Sequence, residues 1–269
     1  MSGQDHIAAG FGWREHPGDG PVLLALHGIG SEARAFDALG RHLPGWRLLA
    51  WEAPGYGPTA PLSQDWPTAA VYAEALAVFL NARGLERVHL LGHSLGTLIA
   101  AAFARAHPHR VQTLTLAACA QGGAAAPGAL PPAQAARLDE LERVGAAAFA
   151  HARAPRLVFR PEENPALVAT IADSMGKIRL PGYAQAVRML ASGDLAADCA
   201  GLTVPTAMVV GAEDVVTPPA QSLRAHAALP ARHRGALTLI PGTGHALHLQ
   251  APEALAAALK AHVHQGVTP

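Results

Sequence analysis

Three residues of the chain have the types and the order that nucleophilic catalysis requires. Ser94 lies between two glycines in the stretch GHSLG, Asp214 follows an apolar run, and His245 ends the glycine-rich stretch GTGH. A serine hydroxyl is a weak nucleophile unless a base removes its proton and a carboxylate orients that base. The residue types therefore predict a nucleophile, an acid and a base in the chain order serine, aspartate, histidine.

The sequence around Ser94 predicts a sharp turn from a strand into a helix. Residues 87–91 have the pattern of a strand, and small helix-compatible residues follow the serine. Such a turn strains the backbone and crowds it, and Gly92 and Gly96 remove the side chains that would collide. The hydroxyl would stand exposed at the amino end of a helix, whose dipole favours negative charge. A chance match is the alternative, but the strand-to-helix context favours a nucleophile elbow.

Two other carboxylates compete with Asp214 for the role of the acid. Asp194 and Asp198 lie shortly before the strand predicted at 206–214 and would also reach a strand end. We favour Asp214 because it directly follows the run VVGAE, beside a helix opened by proline. Its distance from His245 accommodates one helix and one strand, which would bring both to the same edge of a sheet.

A serine nucleophile also needs donors for the oxyanion that forms when it attacks a carbonyl. The backbone amide of Leu95, the residue after the nucleophile, is one candidate. The stretch HGIGS after the first clear strand supplies the other, and Ile29 is favoured because Gly28 and Gly30 permit a tight loop. We interpret His27 as a structural anchor of that loop rather than a second base.

Composition excludes several other classes of protein. The chain has 269 residues, of which 50% are hydrophobic, so it can bury a large core. Twenty basic and twenty acidic side chains give a formal net charge of zero. This balance argues against nucleic acid and anionic membranes as partners. Homo-oligomerisation is left open.

Targeting, membrane and redox signals are weak. The first residues lack a basic segment followed by an apolar one, and no apolar stretch is long enough to span a bilayer, so we expect a cytoplasmic protein without a membrane partner. Cys119 and Cys199 are far apart and set among alanines. We expect two buried free thiols rather than a disulfide or a metal site, and no metal or cofactor.

Strand and helix patterns alternate along the chain, which predicts an α/β fold with a mostly parallel sheet covered by helices on both faces. The predicted strands lie at residues 21–28, 46–57, 87–94, 111–119, 206–214 and 236–245. Helical patterns follow four of these runs, at 68–84, after Ser94, at 218–229 and at 252–265. Ligands in such folds bind beyond the carboxyl ends of the strands, where the candidate residues lie.

Residues 121–198 interrupt this alternation with helical segments and no clear strand. They predict a helical cap over the carboxyl edge, inserted into a core formed by residues 1–120 and 199–269. Basic and acidic side chains are nearly balanced in the insertion, so we expect no electrostatic funnel from it. Five large side chains could line an apolar pocket, although packing is their more usual role: Phe149, Phe159, Met175, Tyr183 and Met189.

The stretches HGIG, WEAPGYGPT, GHSLG, GAEDVVTP and GTGHALHLQAPE stand in the order found in α/β-hydrolases, and the chain resembles that family over nearly its whole length. The resemblance implies that Ser94 is the nucleophile, Asp214 the acid and His245 the base, with Ile29 and Leu95 forming the oxyanion hole. Within the family the chain is most similar to β-ketoadipate enol-lactone hydrolases and to hydrolases of aromatic meta-cleavage products. The latter commonly carry Trp after the catalytic histidine, where this chain has Ala246.

These observations predict a cofactor-free serine hydrolase that cleaves a small carboxylic ester or lactone through an acyl-enzyme. Two alternatives share the same triad: a carbon–carbon bond hydrolase of meta-cleavage products and a cofactor-free perhydrolase. A receptor on the same fold, which would only bind its ligand, is a third alternative that the intact triad disfavours. Haloalkane dehalogenases are disfavoured because their nucleophile is an aspartate.

Overall fold

The computed structural model describes residues 3–266, and within them a single sheet of eight strands forms the centre of the protein. The strands are β1 (Gln4–Ala8), β2 (Phe11–His16), β3 (Val22–Leu26), β4 (Arg47–Trp51), β5 (Val88–His93), β6 (Val111–Ala117), β7 (Thr206–Gly211) and β8 (Arg234–Ile240). Their order across the sheet is β1-β2-β4-β3-β5-β6-β7-β8. The β1–β2 and β2–β4 pairs are antiparallel and all others are parallel.

Helices cover both faces of this sheet. Ten α-helices lie within the described residues: α1 (Asp37–Arg41), α2 (Ala69–Ala82), α3 (Leu95–Ala106), α4 (Pro132–Arg153), α5 (Pro165–Met175), α6 (Gly182–Ser192), α7 (Leu195–Ala200), α8 (Pro219–Ala228), α9 (Leu247–Gln250) and α10 (Pro252–Gly266). Short 3-10 helices occupy Ala33–Phe36, Pro108–Arg110, Ala154–Leu157, Pro161–Glu163 and Ala231–His233. The predicted α/β architecture is confirmed, and all six predicted strands are present as β3 to β8.

The apolar runs form strands because the sheet is buried on both faces. In β3, Leu24 and Leu26 pack into one core cluster, whereas Leu23 and Ala25 pack into a second cluster. Alternate side chains of a strand point to opposite faces, so a strand with two covered faces reads as a continuous apolar run. Complete burial of one leucine side chain contributes about 1.5–3 kcal/mol, which makes these central strands a large share of the core.

The two N-terminal strands were not predicted from the sequence. β1 and β2 form an antiparallel hairpin whose turn contains Ala9 and Gly10, both at positive φ (52° and 81°). β1 lies at the edge of the sheet and is mostly exposed, so its sequence QDHIA carries no apolar run. A half-solvated edge strand lacks the burial signal by which the central strands were recognised.

Helices α4 to α7 lie between β6 and β7; α4 to α6 lie in the segment where the sequence predicted an insertion, and α7 begins in it and ends two residues beyond it. The two ends of the segment meet at an isolated antiparallel bridge between Gly122 and Asp194. α4 bends at Gly145, whose φ of 76° and ψ of 162° are not helical. Within the described residues, no helix has the length and apolar character needed to cross a membrane.

Candidate active site

Ser94 is the single residue between β5 and α3, and it occupies a strained backbone conformation with φ 52° and ψ −116°. The turn brings the start of α3 against the neighbouring strand so closely that a Cβ on Gly96 would overlap the carbonyl oxygen of Leu26. A Cβ on Gly92 would likewise overlap the carbonyl oxygen of Gly96. The two glycines of GHSLG are therefore required by close backbone packing, and the serine stands at the tip of the turn.

His245 and Asp214 form a buried pair after the last two strands. His245 Nδ1 lies 2.9 Å from Asp214 Oδ2, and the two side chains are 4% and 0% exposed. The other oxygen, Asp214 Oδ1, accepts hydrogen bonds from the backbone amides of Val216 (2.8 Å) and Thr217 (2.9 Å). Thr217 Oγ1 lies 2.8 Å from Asp214 Oδ2 and 3.1 Å from His245 Nδ1, so its hydroxyl bridges the pair.

This environment keeps the Asp214 carboxylate ionised. Burial acts to raise its pKa, but the hydrogen bond and positive charge of His245, with the donors from Thr217, outweigh burial and lower the pKa below its usual value. An ionised carboxylate can only accept hydrogen bonds. In a neutral His245 the hydrogen is therefore on Nδ1, which donates it to Asp214. The lone pair of Nε2 then remains available to a serine hydroxyl.

Ser94 and His245 line two adjoining cavities. The first, which we call the histidine cavity, has a volume of about 80 Å³ and includes His93 and His248 in its wall. The second, which we call the arginine cavity, has a volume of about 200 Å³; Arg137, Arg153 and Arg156 are part of its wall. Among the described residues, Ser94 Oγ makes no direct hydrogen bond to His245; in ligand-free sites such bonds are often long and tighten with substrate.

The loop after β3 packs directly against the elbow. A Cβ on Gly28 would lie 3.0 Å from Ser94 Cβ, which is tighter than an ordinary contact, so a side chain at this position would push the loop away from the elbow. Ile29 lines both cavities beside Ser94. Within residues 3–266, neither the Ile29 amide nor the Leu95 amide donates a hydrogen bond to a protein acceptor. The two predicted oxyanion donors therefore flank the serine with free N–H groups.

His27 fixes this loop from beneath. Its Nδ1 donates to the carbonyl oxygen of Gly28 (2.9 Å), and its Nε2 accepts from the amide of Ala53 (3.2 Å). Burial lowers the pKa of His27 to about 4, so the ring is neutral at physiological pH. Glu52 lies nearby and accepts from the amide of Ala33, and burial raises its pKa to about 7. These contacts hold the loop in place without reaching Ser94.

Sequence reasoning missed His93, the residue before the nucleophile. Its Nε2 donates to the backbone carbonyl of His245 (2.9 Å), and its ring lies 5.0 Å from the His245 ring and 4.2 Å from the His248 ring. Burial, with the charge of His245, lowers the pKa of His93 to about 3, so this ring stays neutral. His93 thus ties the histidine loop to the nucleophile turn. Its position next to Ser94 was the available signal.

The helical segment also holds the histidine loop. The amide of Ala246 donates to the carbonyl oxygen of Leu157 (2.8 Å). Gln250 bonds to both backbone groups of Phe159: its Oε1 accepts from the amide (3.1 Å) and its Nε2 donates to the carbonyl (2.8 Å). The same Oε1 accepts from the amide of Gly244 (3.0 Å). The helical segment therefore braces the loop that carries His245.

The competing aspartates lie elsewhere. Asp194 accepts from the amide of Ala197 (3.0 Å) and caps α7, and Asp198 pairs with Arg105 (3.0 Å). Cys119 and Cys199 are buried free thiols, as predicted.

Of the five large side chains considered in the insertion, Met175, Phe149, Tyr183 and Met189 are buried in the core cluster, and Phe159 is half-buried. Met175 also lines the arginine cavity. In the described part of the chain, no group of three or more His, Cys, Asp or Glu side chains could hold a metal ion.

Comparison with known families extends over most of the chain. A family model described as "Serine aminopeptidase, S33" matches residues 20–251. A curated relative, the 2-hydroxy-6-oxononadienedioate/2-hydroxy-6-oxononatrienedioate hydrolase 2 of Pseudomonas putida, is 36% identical over 108 residues. That match spans 38% of this chain and 38% of the length of the relative.

Solved structures resemble the whole chain. A thermophilic esterase from Thermogutta terrifontis superposes with a TM-score of 0.84 at 23% identity, covering 100% of this chain and 99% of the other. The enol-lactonase from Burkholderia xenovorans LB400 superposes with a TM-score of 0.83 at 19% identity, covering 97% of this chain and 100% of the other. These matches confirm the predicted fold and the predicted resemblance.

Proposed function

Since the chain belongs to the serine aminopeptidase S33 family of α/β-hydrolases, we propose that it is a serine hydrolase that cleaves a small carboxylic ester or lactone through an acyl-enzyme. One observation carries the proposal. The buried pair of His245 and Asp214, joined at 2.9 Å, opens onto the cavities that Ser94 lines from its strained turn. A strained serine next to an oriented histidine is the arrangement that activates a hydroxyl.

Acylation follows from these positions. His245 Nε2 takes the proton of Ser94 as its oxygen attacks the substrate carbonyl. Asp214 stabilises the imidazolium that forms, because its carboxylate is ionised and already bonded to Nδ1. The negative oxygen of the tetrahedral intermediate accepts from the amides of Ile29 and Leu95, and loss of one such donor typically costs about 3 kcal/mol in the barrier. His245 then gives the proton to the departing alkoxide or enolate.

Deacylation repeats the sequence with water. His245 removes a proton from a water molecule, the hydroxide attacks the acyl carbonyl, and Ser94 leaves with the proton that the imidazolium returns. The acid product carries the oxygen of that water. His93 and Gln250 support both halves of the reaction, because they hold the backbone on either side of His245.

We also propose that residues 121–198 form a cap that selects the substrate, with the core formed by 1–120 and 199–269. The bridge between Gly122 and Asp194, near the two ends of the segment, supports these bounds. Leu157 and Met175 from the segment line the arginine cavity, so the segment contacts whatever occupies it.

A substrate panel tests the proposed reaction. Purified protein is assayed with p-nitrophenyl esters of increasing acyl length, with enol-lactones and with dienoate diketones. We expect hydrolysis of short esters or lactones, with a burst of p-nitrophenol when deacylation is slow. Absence of hydrolysis of every ester and lactone, in protein that is folded by circular dichroism, would contradict the proposal.

Carbon–carbon bond hydrolysis is a second candidate, because the curated relative from Pseudomonas putida is named as a hydrolase of a nonadienedioate. Such a reaction uses the same serine and histidine, but the leaving group is a stabilised carbanion that takes a proton at carbon, instead of an alkoxide. Ala246 occupies the position after His245, where hydrolases of meta-cleavage products commonly carry Trp. The panel separates the two candidates, since cleavage of the diketones faster than of any ester would favour this second reaction.

A further inference from the structure

Three arginines of the helical segment converge on the cavity that contains Ser94. Arg137 comes from the first part of α4, Arg153 from its end and Arg156 from the 3-10 helix that follows. We propose that the substrate carries a carboxylate group, that this group binds in the arginine cavity, and that these three side chains select for it. This inference rests on the proposed ester or lactone hydrolysis and specifies the substrate of that same site.

The charged side chains that line the arginine cavity are basic. Its wall holds three guanidinium groups and, within the described residues, no acidic side chain; the remaining members are Ile29, Ser94, Leu157, Met175, Val216 and His245. Glu140 pairs with Arg153 and is the carboxylate that offsets part of this charge. Four of the wall residues are apolar, and apolar surroundings strengthen the attraction between a guanidinium and an anion. The cavity therefore has an excess of positive charge beside the nucleophile.

Arg153 is held in place but is not fully satisfied. One terminal nitrogen donates to Glu140, and the guanidinium lies 4.3 Å from the centre of the Phe149 ring. Its Nε is buried and has no hydrogen-bond partner among the described residues. This Nε is closed to the cavity, so the donor that Arg153 can offer a ligand is its other terminal nitrogen, which has no protein acceptor among the described residues.

Arg137 is fixed in a similar way. Its Nε donates to the hydroxyl of Tyr183, and its guanidinium lies 5.4 Å from the centre of that ring. Its two terminal nitrogens donate no hydrogen bond to any protein acceptor within residues 3–266. A guanidinium with a fixed plane and free terminal N–H groups binds a carboxylate in the bidentate geometry that arginine favours.

Arg156 completes the cluster from the solvent side. Its side chain is exposed, and no ion pair joins it to another described residue. An exposed cation at the mouth of a cavity attracts anionic substrates before they bind, an effect that salt weakens. The histidine cavity offers no comparable cluster. Its wall includes one arginine, Arg34, and one acidic residue, Glu32, and burial lowers the pKa values of His93 and His248 and leaves both rings neutral.

Matched pairs of substrates test the inference. The first pair is p-nitrophenyl hydrogen glutarate and p-nitrophenyl methyl glutarate, which place the carboxylate or its methyl ester in the acyl group. The second is 4-acetoxybenzoic acid and its methyl ester, which place it in the leaving group. The preference is the ratio of kcat/KM for the anionic member to that for the neutral member, measured at low and at high salt. We expect a preference of at least about tenfold in one pair, reduced by salt.

Variants assign that preference to the cavity. Arg156→Gln and the double variant Arg137→Gln/Arg156→Gln are expected to reduce it progressively, mainly through KM. Arg143→Gln is the matched control, because Arg143 lies exposed on α4 outside the cavity wall and should leave both substrate pairs unaffected. Because Arg156 is exposed, we expect the single variant to fold as the parent does, and its melting temperature verifies this.

Different experimental results would contradict the carboxylate preference and the proposed hydrolase function. Hydrolysis of the neutral esters with no anionic preference in either pair, or a preference that Arg156→Gln and the double variant retain, would overturn the inference and leave the serine hydrolase intact. Absence of both ester hydrolysis and covalent labelling by a small neutral fluorophosphonate would overturn the proposed function itself. A preference lost equally in Arg143→Gln would assign it to general surface charge and also overturn the inference.

Discussion

The loops at the strand ends and the helical segment 121–198 both reach Ser94, but they are built differently. In the loops, the acid and the Nδ1 side of the base are held by protein partners: Asp214 accepts from two backbone amides and from His245 Nδ1, and the backbone carbonyl of His245 accepts from His93. In the segment, the arginines that reach the cavity keep free donors. The strand-end loops hold the catalytic groups in one arrangement, whereas the helical segment leaves hydrogen-bond donors free for a ligand.

The strand-end loops thus provide a rigid catalytic base, and the helical segment provides free donors for substrate selection. A base that must hold its tautomer needs a carboxylate and hydrogen bonds that fix its loop. A region that recognises substrate needs donors that the protein has not already used. The regions are nevertheless joined, because Leu157 and Phe159 of the segment bond to the loop that carries His245.

The largest effect is expected at the nucleophile. Ser94→Ala should keep the fold and lower turnover by at least about four orders of magnitude, given the losses seen when a triad member is removed. Steady-state assays on the best ester of the panel measure the loss, and thermal unfolding verifies the fold. Activity within tenfold of the parent in contaminant-free protein would contradict the assignment of the chemistry to the strand-end loops.

Asp214→Asn should have the next largest effect, a loss of roughly three orders of magnitude or more in kcat, because the amide no longer favours the Nδ1–H tautomer of His245. Asp194→Asn and Asp198→Asn are the controls, since one caps α7 and the other pairs with Arg105. Both should remain within a few-fold of the parent. A larger loss in either control than in Asp214→Asn would move the acid to another strand end.

Gln250→Ala tests whether the helical segment braces the histidine loop. Removing the amide breaks its bonds to Phe159 and Gly244, and we expect kcat to fall by about tenfold, as for other displacements of a catalytic group by a fraction of an ångström. Gln134→Ala is the control, because that side chain has no hydrogen bond to a described residue. Equal rates in the two variants would mean that the regions act independently.

The smallest effect concerns stability and pH. Burial raises the pKa of Glu52 to about 7 from 4.5. Below pH 4.5 the carboxyl of Glu52 is protonated in both the folded and the unfolded chain. As the pH rises towards 7, Glu52 ionises first in the unfolded chain, so the free energy of unfolding decreases, by about 3 kcal/mol in total. Glu52→Gln removes this loss.

We therefore expect the melting temperature of Glu52→Gln relative to the parent to increase by several degrees between pH 4.5 and 7 and to stay level above that. Differential scanning calorimetry across this range measures the difference. A difference that is constant with pH would show that Glu52 ionises with an ordinary pKa in the folded protein.

The sequence could predict those features that depend on residue type and on order along the chain. The strands β3 to β7 are buried on both faces, and Ser94, Asp214 and His245 follow strand ends by one, three and five residues, so their residue types and order were visible. The edge hairpin β1–β2 was missed because its first strand is exposed and polar.

The arginine cavity could not be predicted because it is a product of packing. Arg137 and Arg153 are separated by the bend of α4 at Gly145, and Arg156 follows the end of that helix. Their charges are balanced in the sequence by acidic residues that lie outside the cavity wall. Counting charges along the insertion therefore predicted no funnel, whereas the folded segment directs three cations to one place.

Identification of a covalent adduct tests the central claim most directly. The intact protein is treated with a small neutral fluorophosphonate and examined by intact-mass and peptide mass spectrometry, beside Ser94→Ala and His245→Ala variants. We expect one adduct per chain, located on Ser94, with no adduct in Ser94→Ala and much slower labelling in His245→Ala. An adduct on another serine, or none in the folded parent protein, would contradict the claim that the strand-end loops make Ser94 a nucleophile.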